Sequence, residues 1–425
     1  MSSTADSHAD TQPQSARPTR QAYPTYPTLR LKPGRDYTLR QGHPWLFSGA
    51  FERLPREIAP GAVVDVTTHD GQWLARGHLN AANSLAFRIL TREREETIDT
   101  AFFARRLREA QAVRALLPAD VTAYRLAHSE ADGLPGLIVD RYDRWLVAQI
   151  SSAGMEAQRA EVIGALREAL GADAVAGIVM RDDVRARARE GLVVGAALIA
   201  WGEVPEEIAI VEHGVRYTVT PLSGQKTGFF LDQRDKRARI GALAPHASSL
   251  LNLYAYSGGF ALAALASNPN LRTVNVDSSE SALAQARRNY ALNGHDPSDP
   301  RHEFAEEDVR RYLARASAAG ERFDLVVVDP PAFAKSLSQR DKALHAYESL
   351  NSRALQVTAP GGLMLTCSCS GGVNAEEFET AVRQALAHES RSARIIESFG
   401  PSLDHPSLLG FSEDRYLKAL LLRVD

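Results

Sequence analysis

The apolar positions of this chain change rhythm twice, and each rhythm predicts a different kind of structure. From Leu29 to about Glu96 apolar and polar residues alternate in short runs. Val63, Val64 and Val66 lead into a His69-Asp70-Gly71 turn, and residues 73–76 resume the alternation. Residues 85–91 repeat it after the loop Asn80-Ala81-Ala82-Asn83. A period of two marks strands, and short strands joined by tight turns predict a small β-barrel. The spacing then lengthens. Phe103, Leu107, Ala110, Val113 and Leu116 fall on one face of a helix that Pro118 stops. Residues 122–213 mix the two periods: 137–139 and 145–150 read as a hairpin, 157–170 as a helix and 176–180 as a strand. This small α+β region reads as a spacer or partner surface.

From about Ser248 strands and helices alternate. The apolar runs 250–253, 273–276, 325–328 and 363–365 are short and unbroken, as in a parallel sheet buried on both faces. Helical patterns at 281–292 and 344–357 lie between them, and 416–424 reads as a closing strand. That order predicts a doubly wound α/β domain with its ligands at the carboxyl ends of the strands. The first 28 residues are rich in Ser, Thr, Pro and Gln and lack an apolar segment, so they read as a disordered tail. The resulting division is a tail at 1–28, a β-barrel at 29–97, a linker helix with a central α+β domain at 98–213, and an α/β domain at 214–425.

Composition adds limits. A chain of 425 residues exceeds what one core usually serves. The formal net charge of −3 means that any polyanion must be met by a local patch. Arg76, Arg88 and Arg141 are candidates for it. The two cysteines, Cys367 and Cys369, are separated by one serine, which suits neither a disulfide nor a tetrahedral metal site. A reducing, cytoplasmic compartment and no metal are expected. No apolar stretch reaches the roughly 18 residues of a membrane span.

The strand ends carry the candidate chemistry. The first ends in Tyr254-Ala255-Tyr256-Ser257-Gly258-Gly259, where paired glycines let a ligand approach the backbone ahead of a helix N-terminus. Asp277 ends the second strand, placed to bind ribose hydroxyls, with Ser278 beside it. Asp308 is placed to accept from an adenine amino group. A nicotinamide dinucleotide would ask for Gly-x-Gly-x-x-Gly, which this loop does not supply. The expected cofactor is S-adenosylmethionine. Asp329-Pro330-Pro331-Ala332-Phe333 follows the strand at 325–328. Prolines there force the chain out of the sheet along a fixed path, leaving Asp329 and Pro330 at the rim and Phe333 free to stack on a flat ring. Both cysteines follow the next strand, in Thr366-Cys367-Ser368-Cys369-Ser370. A thiolate at that edge is suited to attack C6 of a pyrimidine and so activate C5 for methylation. An inert, buried cysteine is the competing reading for either.

Taken together, Gly224-Gln225-Lys226-Thr227-Gly228-Phe229-Phe230-Leu231-Asp232-Gln233-Arg234, the Tyr256–Phe260 loop, Val276-Asp277-Ser278-Ser279, the Asp329–Phe333 turn and Ser368-Cys369-Ser370 resemble the bacterial large-subunit rRNA methyltransferase I family over nearly the whole chain after the tail. The resemblance implies a PUA RNA-binding barrel, a small central domain and a class I, Rossmann-like methyltransferase domain. It implies C5 methylation of a cytosine in 23S rRNA, with Cys369 preferred to Cys367 as nucleophile and Asp329 as its catalytic neighbour. The loop containing Lys226, Thr227, Phe229, Phe230 and Gln233 would approach cofactor or base, although core packing reads Phe229 and Phe230 equally well. Where many RNA cytosine-C5 enzymes carry a helper cysteine after the Asp-Pro, this chain has Pro331 and Ala332. The Ser-Cys-Ser element is absent from the sister branch acting on guanine N7. Methylation of uracil C5, an exocyclic amine or guanine N7, or RNA binding without catalysis, are the alternatives; a homodimer is an open assembly state.

Overall fold

The computed structural model describes residues 25–224, 227–334 and 337–425. The expected tail lies outside the described residues as far as position 24. The barrel is a five-stranded sheet of β1 (Thr28–Arg30), β2 (Trp45–Phe47), β3 (Val63–Thr67), β4 (Trp73–Leu79) and β5 (Leu85–Thr91), in the order β1-β3-β4-β5-β2. A bridge between Leu31 and Phe51 joins the two outer strands, with Lys32 N donating to Ala50 O at 2.9 Å. Closure removes the open edges. Inside are Leu29, Leu46, Val64, Val66, Ala75 and Phe87.

Two of the arginines expected to meet RNA are committed within the fold. Arg76 is 1% exposed and pairs with Asp65 on the neighbouring strand at 2.8 Å. Arg88 spans Glu130 and Glu190 at 2.8 and 2.9 Å, tying barrel to central domain. Arg141 is half-buried, its Nε donating to Asp143 O at 2.6 Å. A guanidinium beside a carboxylate in the folded chain stays there, because separating the buried pair costs more than a surface contact returns.

The linker helix spans Thr100–Arg114 and starts on Asp99, whose carboxylate accepts from Phe102 N at 2.9 Å. It ends before Pro118. Its buried face is Phe103, Leu107, Ala110 and Arg114, whereas Val113 and Leu116 are exposed, contrary to the periodicity. The reason is electrostatic: Arg114 makes two 2.7 Å bonds to Asp132, so this face closes on an ion pair.

The central sheet comprises β6 (Ala123–His128), β7 (Leu137–Tyr142), β8 (Trp145–Ile150), β9 (Gly177–Arg181) and β10 (Ala197–Gly202), in the order β10-β9-β8-β7-β6. The predicted β7–β8 hairpin is present, and β8 pairs parallel with β9 across the helix Arg159–Leu170. A separate hairpin, β11 (Ile208–Glu212) and β12 (Val215–Val219), follows.

The last sheet holds β13 (Ser249–Leu253), β14 (Arg272–Asp277), β15 (His302–Glu306), β16 (Phe323–Val328), β17 (Thr358–Ser368), β18 (Ala393–Phe399) and β19 (Lys418–Val424). Their order is β15-β14-β13-β16-β17-β19-β18. The first five run parallel and β19 lies antiparallel between β17 and β18. Leu250, Val327 and Leu365 pack on one face; Leu251, Val326 and Met364 pack on the other. Two buried faces explain why the apolar runs are unbroken. Strand order reverses between β13 and β16, which opens a crevice at their carboxyl ends. Residues 400–417, between β18 and β19, form a strap that reaches the barrel, where the Phe411 ring lies 4.5 Å from that of Trp45. Among the described residues, no helix is long and apolar enough to cross a membrane.

Candidate active site

β13 runs directly into the glycine turn. Tyr254 and Tyr256 take φ of 57° and 47°, a region that side-chain-bearing residues rarely occupy. Gly258 has φ 79°, and a Cβ there would sit 3.2 Å from Ala286 Cβ. Gly259 opens the helix Gly259–Ser267, whose first N–H groups lack partners in the helix itself. Asp277, at the end of β14, holds two loops at once: one carboxylate oxygen accepts from Tyr256 N and the other from Ser279 N, both at 2.9 Å. Ser278 lies between those two anchors. Ser257 is buried, its carbonyl held by Asn289 Nδ2 at 3.1 Å. Asp308 follows β15 and is exposed; its Oδ1 caps the helix Val309–Ala318 by accepting from Arg310 N and Arg311 N. Two carboxylates at adjacent strand ends, a glycine turn and a helix N-terminus converge on one crevice. That donor and acceptor set fits S-adenosylmethionine: hydroxyls and an amine for the acids, a carboxylate for the helix.

One strand further on, the acid-proline turn and the cysteine turn are stitched together. Asp329 leaves β16 half-buried, and Gln233 Nε2 donates to its Oδ1 at 2.8 Å. Cys369 Sγ donates to Pro330 O at 3.7 Å. Ala334 N donates to Ser370 Oγ at 3.0 Å, and Tyr347 OH shares that hydroxyl at 2.9 Å. Phe333 is half-buried with its ring 4.8 Å from Tyr347. The two cysteines part company here. Cys367 lies in β17 opposite Ala419, wholly buried, and burial together with the Asp329 charge pushes its thiol well up. Cys369 lies beyond the strand end and is only partly buried.

The loop that precedes Gln233 divides by burial. Lys226 lies outside the described residues. Thr227 and Phe229 face inward, at 1% and 4% exposure. Thr227 Oγ1 donates to Asp140, and Phe229 N to Tyr142 OH at 3.2 Å. The Phe229 ring packs on Tyr217. Phe230 instead stays half-buried with its ring against Tyr256 at 5.1 Å. Because Asp140 and Tyr142 belong to β7, the central domain holds this loop in place and is more than a spacer.

Sequence reasoning missed a set of buried cations around the crevice. Arg234, Lys236 and Arg237 belong to the helix Arg234–Leu243, and all three are buried. Arg237 pairs with Glu212 at 2.7 Å; Lys236 Nζ donates to Asp232 O and Gly400 O. Lys418, at the head of β19, donates to Ser370 O at 2.7 Å and Tyr416 O at 2.9 Å. Its only signal in the sequence is a lone charge at the mouth of an apolar run.

The chain matches known proteins over most of its length. Residues 29–92 match the PUA-like domain family, and residues 125–423 match the S-adenosylmethionine-dependent methyltransferase family. The chain is 39% identical over 408 residues to Ribosomal RNA large subunit methyltransferase I of Salmonella arizonae, covering 96% of this chain and 100% of that one. The protein of the same name from Salmonella enteritidis matches at the same identity and coverage. Among solved structures, SMU.776, a protein assigned to the methyltransferases and complexed with SAH, superposes with a TM-score of 0.79 at 20% identity over 93% of this chain and all of that one. A SAM-dependent methyltransferase structure from Streptococcus mutans gives 0.78 at 21% over the same shares. Those two share the fold.

Proposed function

Because the chain belongs to the ribosomal RNA large subunit methyltransferase I family, whose domain is S-adenosylmethionine-dependent, we propose that it methylates C5 of a cytosine in 23S rRNA, in the cytoplasm, with Cys369 as transient nucleophile. The observation that supports this most is the pairing of Cys369 Sγ with Pro330 O, which puts a partly exposed thiol beside the Asp329 turn at the crevice.

When bound, S-adenosylmethionine supplies an electrophilic methyl group on its sulfonium. C5 of cytosine is too weak a nucleophile to take it unaided. The Cys369 thiolate adds to C6, forming the S–C6 bond and moving the C5–C6 π pair onto C5. That carbon accepts the methyl. The C5 proton then leaves to solvent, its electron pair restores the C5–C6 double bond, and the S–C6 bond breaks to release Cys369. Asp329 is the carboxyl group we assign to N3 and N4 of the base, a reading supported by Gln233, which donates to its Oδ1 and holds its rotamer. For the RNA itself, the barrel carries a concavity of about 420 Å³ that includes Arg35, Tyr37, His43, Trp45 and Phe47 in its wall. Aromatic rings with a guanidinium nearby are the surfaces on which unpaired bases stack.

Cys369→Ala should lower methyl transfer at least about a hundredfold, while Cys367→Ala should retain most of it. The measurement is 5-methylcytidine in 23S rRNA, by nucleoside mass spectrometry, from a strain lacking the gene and complemented with each variant. An enzyme acting on an exocyclic amine or guanine N7 would keep its activity in Cys369→Ala, and that result would overturn the reading.

A further inference from the structure

Resting on Cys369 as the nucleophile, we propose that Lys418 is the positioning residue that supplies the counter-charge for its thiolate and locks the turn that carries it.

Lys418 lies in register opposite Ser368 in the β17–β19 ladder, one residue before the cysteine. Its ammonium is held by two main-chain carbonyls, Ser370 O and Tyr416 O, at 2.7 and 2.9 Å. The first belongs to the residue immediately after Cys369. Lys418 is 8% exposed, and among the described residues no carboxylate pairs with it. A buried cation solvated only by carbonyl dipoles is costly unless an anion stands near. Among the described residues, the other ionisable groups around it are engaged elsewhere. Glu377, on the helix Ala375–His388, is close enough to act on Lys418 but pairs with Arg340 and closes its own capping box. Asp329, from the β16 side, accepts from Gln233. Tyr347, from the helix Arg340–Val357, is kept neutral by burial. Lys236, on the helix Arg234–Leu243, faces Cys367.

The Cys369 sulfur is therefore the group whose ionisation completes the pair. Burial draws the Lys418 ammonium down to about 8, and the Cys369 charge draws it back up. A thiol beside a lysine ionises at lower pH than a free one. The carbonyl bond adds geometry: with Ser370 O fixed by Lys418 and Ser370 Oγ fixed by Tyr347 and Ala334, the Cys369 backbone has little room to turn away.

The test titrates the thiol in the full-length protein without RNA. Iodoacetamide modification of Cys369 is followed against pH by peptide mass spectrometry, which separates it from Cys367. The wild-type profile should lie below that of a free cysteine thiol. Lys418→Met and Lys418→Gln should both slow modification at pH 7 about tenfold, and Lys418→Arg should restore most of the rate. Glutamine keeps a donor for Ser370 O but no charge, so a normal profile in Lys418→Gln would reduce Lys418 to a structural clamp and overturn the proposal. A wild-type Cys369 that titrates like a free thiol would overturn it without any variant. Unchanged titration in Lys418→Gln alongside an inactive Cys369→Ala defeats this inference alone; an active Cys369→Ala defeats the nucleophile itself.

Discussion

Tyr254 and Tyr256 hold left-handed backbone angles at the crevice, at a cost of about 1–3 kcal/mol each. Such strain persists only where neighbours enforce it, and Asp277 does so by gripping Tyr256 N while its other oxygen holds Ser279 N. The same carboxylate is the one we propose for the ribose hydroxyls. Asp277→Ala should therefore weaken S-adenosylmethionine binding by roughly 2 kcal/mol, about thirtyfold, read by titration calorimetry. An affinity equal to wild type would show that the acid only ties the turn. Asp308 commits one oxygen to a helix cap, which leaves the other for the adenine role we propose. Neither dual role is visible in the sequence, where an acid after a strand looks the same whether it caps, binds or does both.

Among the elements, the strap at 400–417 joins parts of the chain that are far apart in sequence. Asp404 is fully buried and accepts from Arg234 at 2.7 and 3.1 Å and from Arg125 N at 2.8 Å; its carbonyl accepts from Arg114. Burial alone would raise its carboxyl, but His405 and Arg234 outweigh that and hold it far below the usual range. Asp404→Asn removes the carboxylate bonded to Arg234, leaving it only Glu212 at 3.5 Å, and should cost about 3 kcal/mol. Denaturant unfolding measures that cost, and faster tryptic cleavage after Arg415 would place the loosening in the strap. The helix Arg234–Leu243 depends on the same anchor. Periodicity finds the strands of the sheet because their apolar faces are continuous, but it passes over this helix, whose buried face is made of cations.

At the scale of the molecule, histidines sit in the joints between the domains. His78 of the barrel meets Gln158 of the central domain at 2.6 Å, and His128 of the central sheet stacks against His405 of the strap at 5.2 Å. Burial pulls His78 down to about 4 and His128 to about 2, and also lowers His405. His78 and His128 are therefore neutral in the folded chain near neutral pH. The unfolded chain takes up protons below about pH 6.5 that the folded one excludes. Stability from these groups is complete above that pH and falls as pH drops towards the folded values. His78 and His128, at about 1.4 kcal/mol each once the pH is a unit below 6.5, predict a protein roughly 2–3 kcal/mol less stable at pH 5.5 than at pH 7.5. Equal denaturant midpoints at the two pH values would contradict it.

The order of elements and the place of the crevice are written locally. Unbroken apolar runs specify strands covered on both faces, and Gly258-Gly259 and Asp329-Pro330-Pro331 mark where the chain must leave them, so strand ends and their acids are legible from neighbours alone. The accessible sulfur is not. Cys367 and Cys369 differ by one pleat period, and which is covered depends on where β17 ends and on β19 packing beside it. The fates of Arg76, Arg114, Arg234 and Lys418 were likewise decided only by tertiary structure. A charge is buried or solvated according to its partner, and Asp404 comes to Arg234 from 170 residues away; periodicity within a helix or strand carries no information about a group that distant.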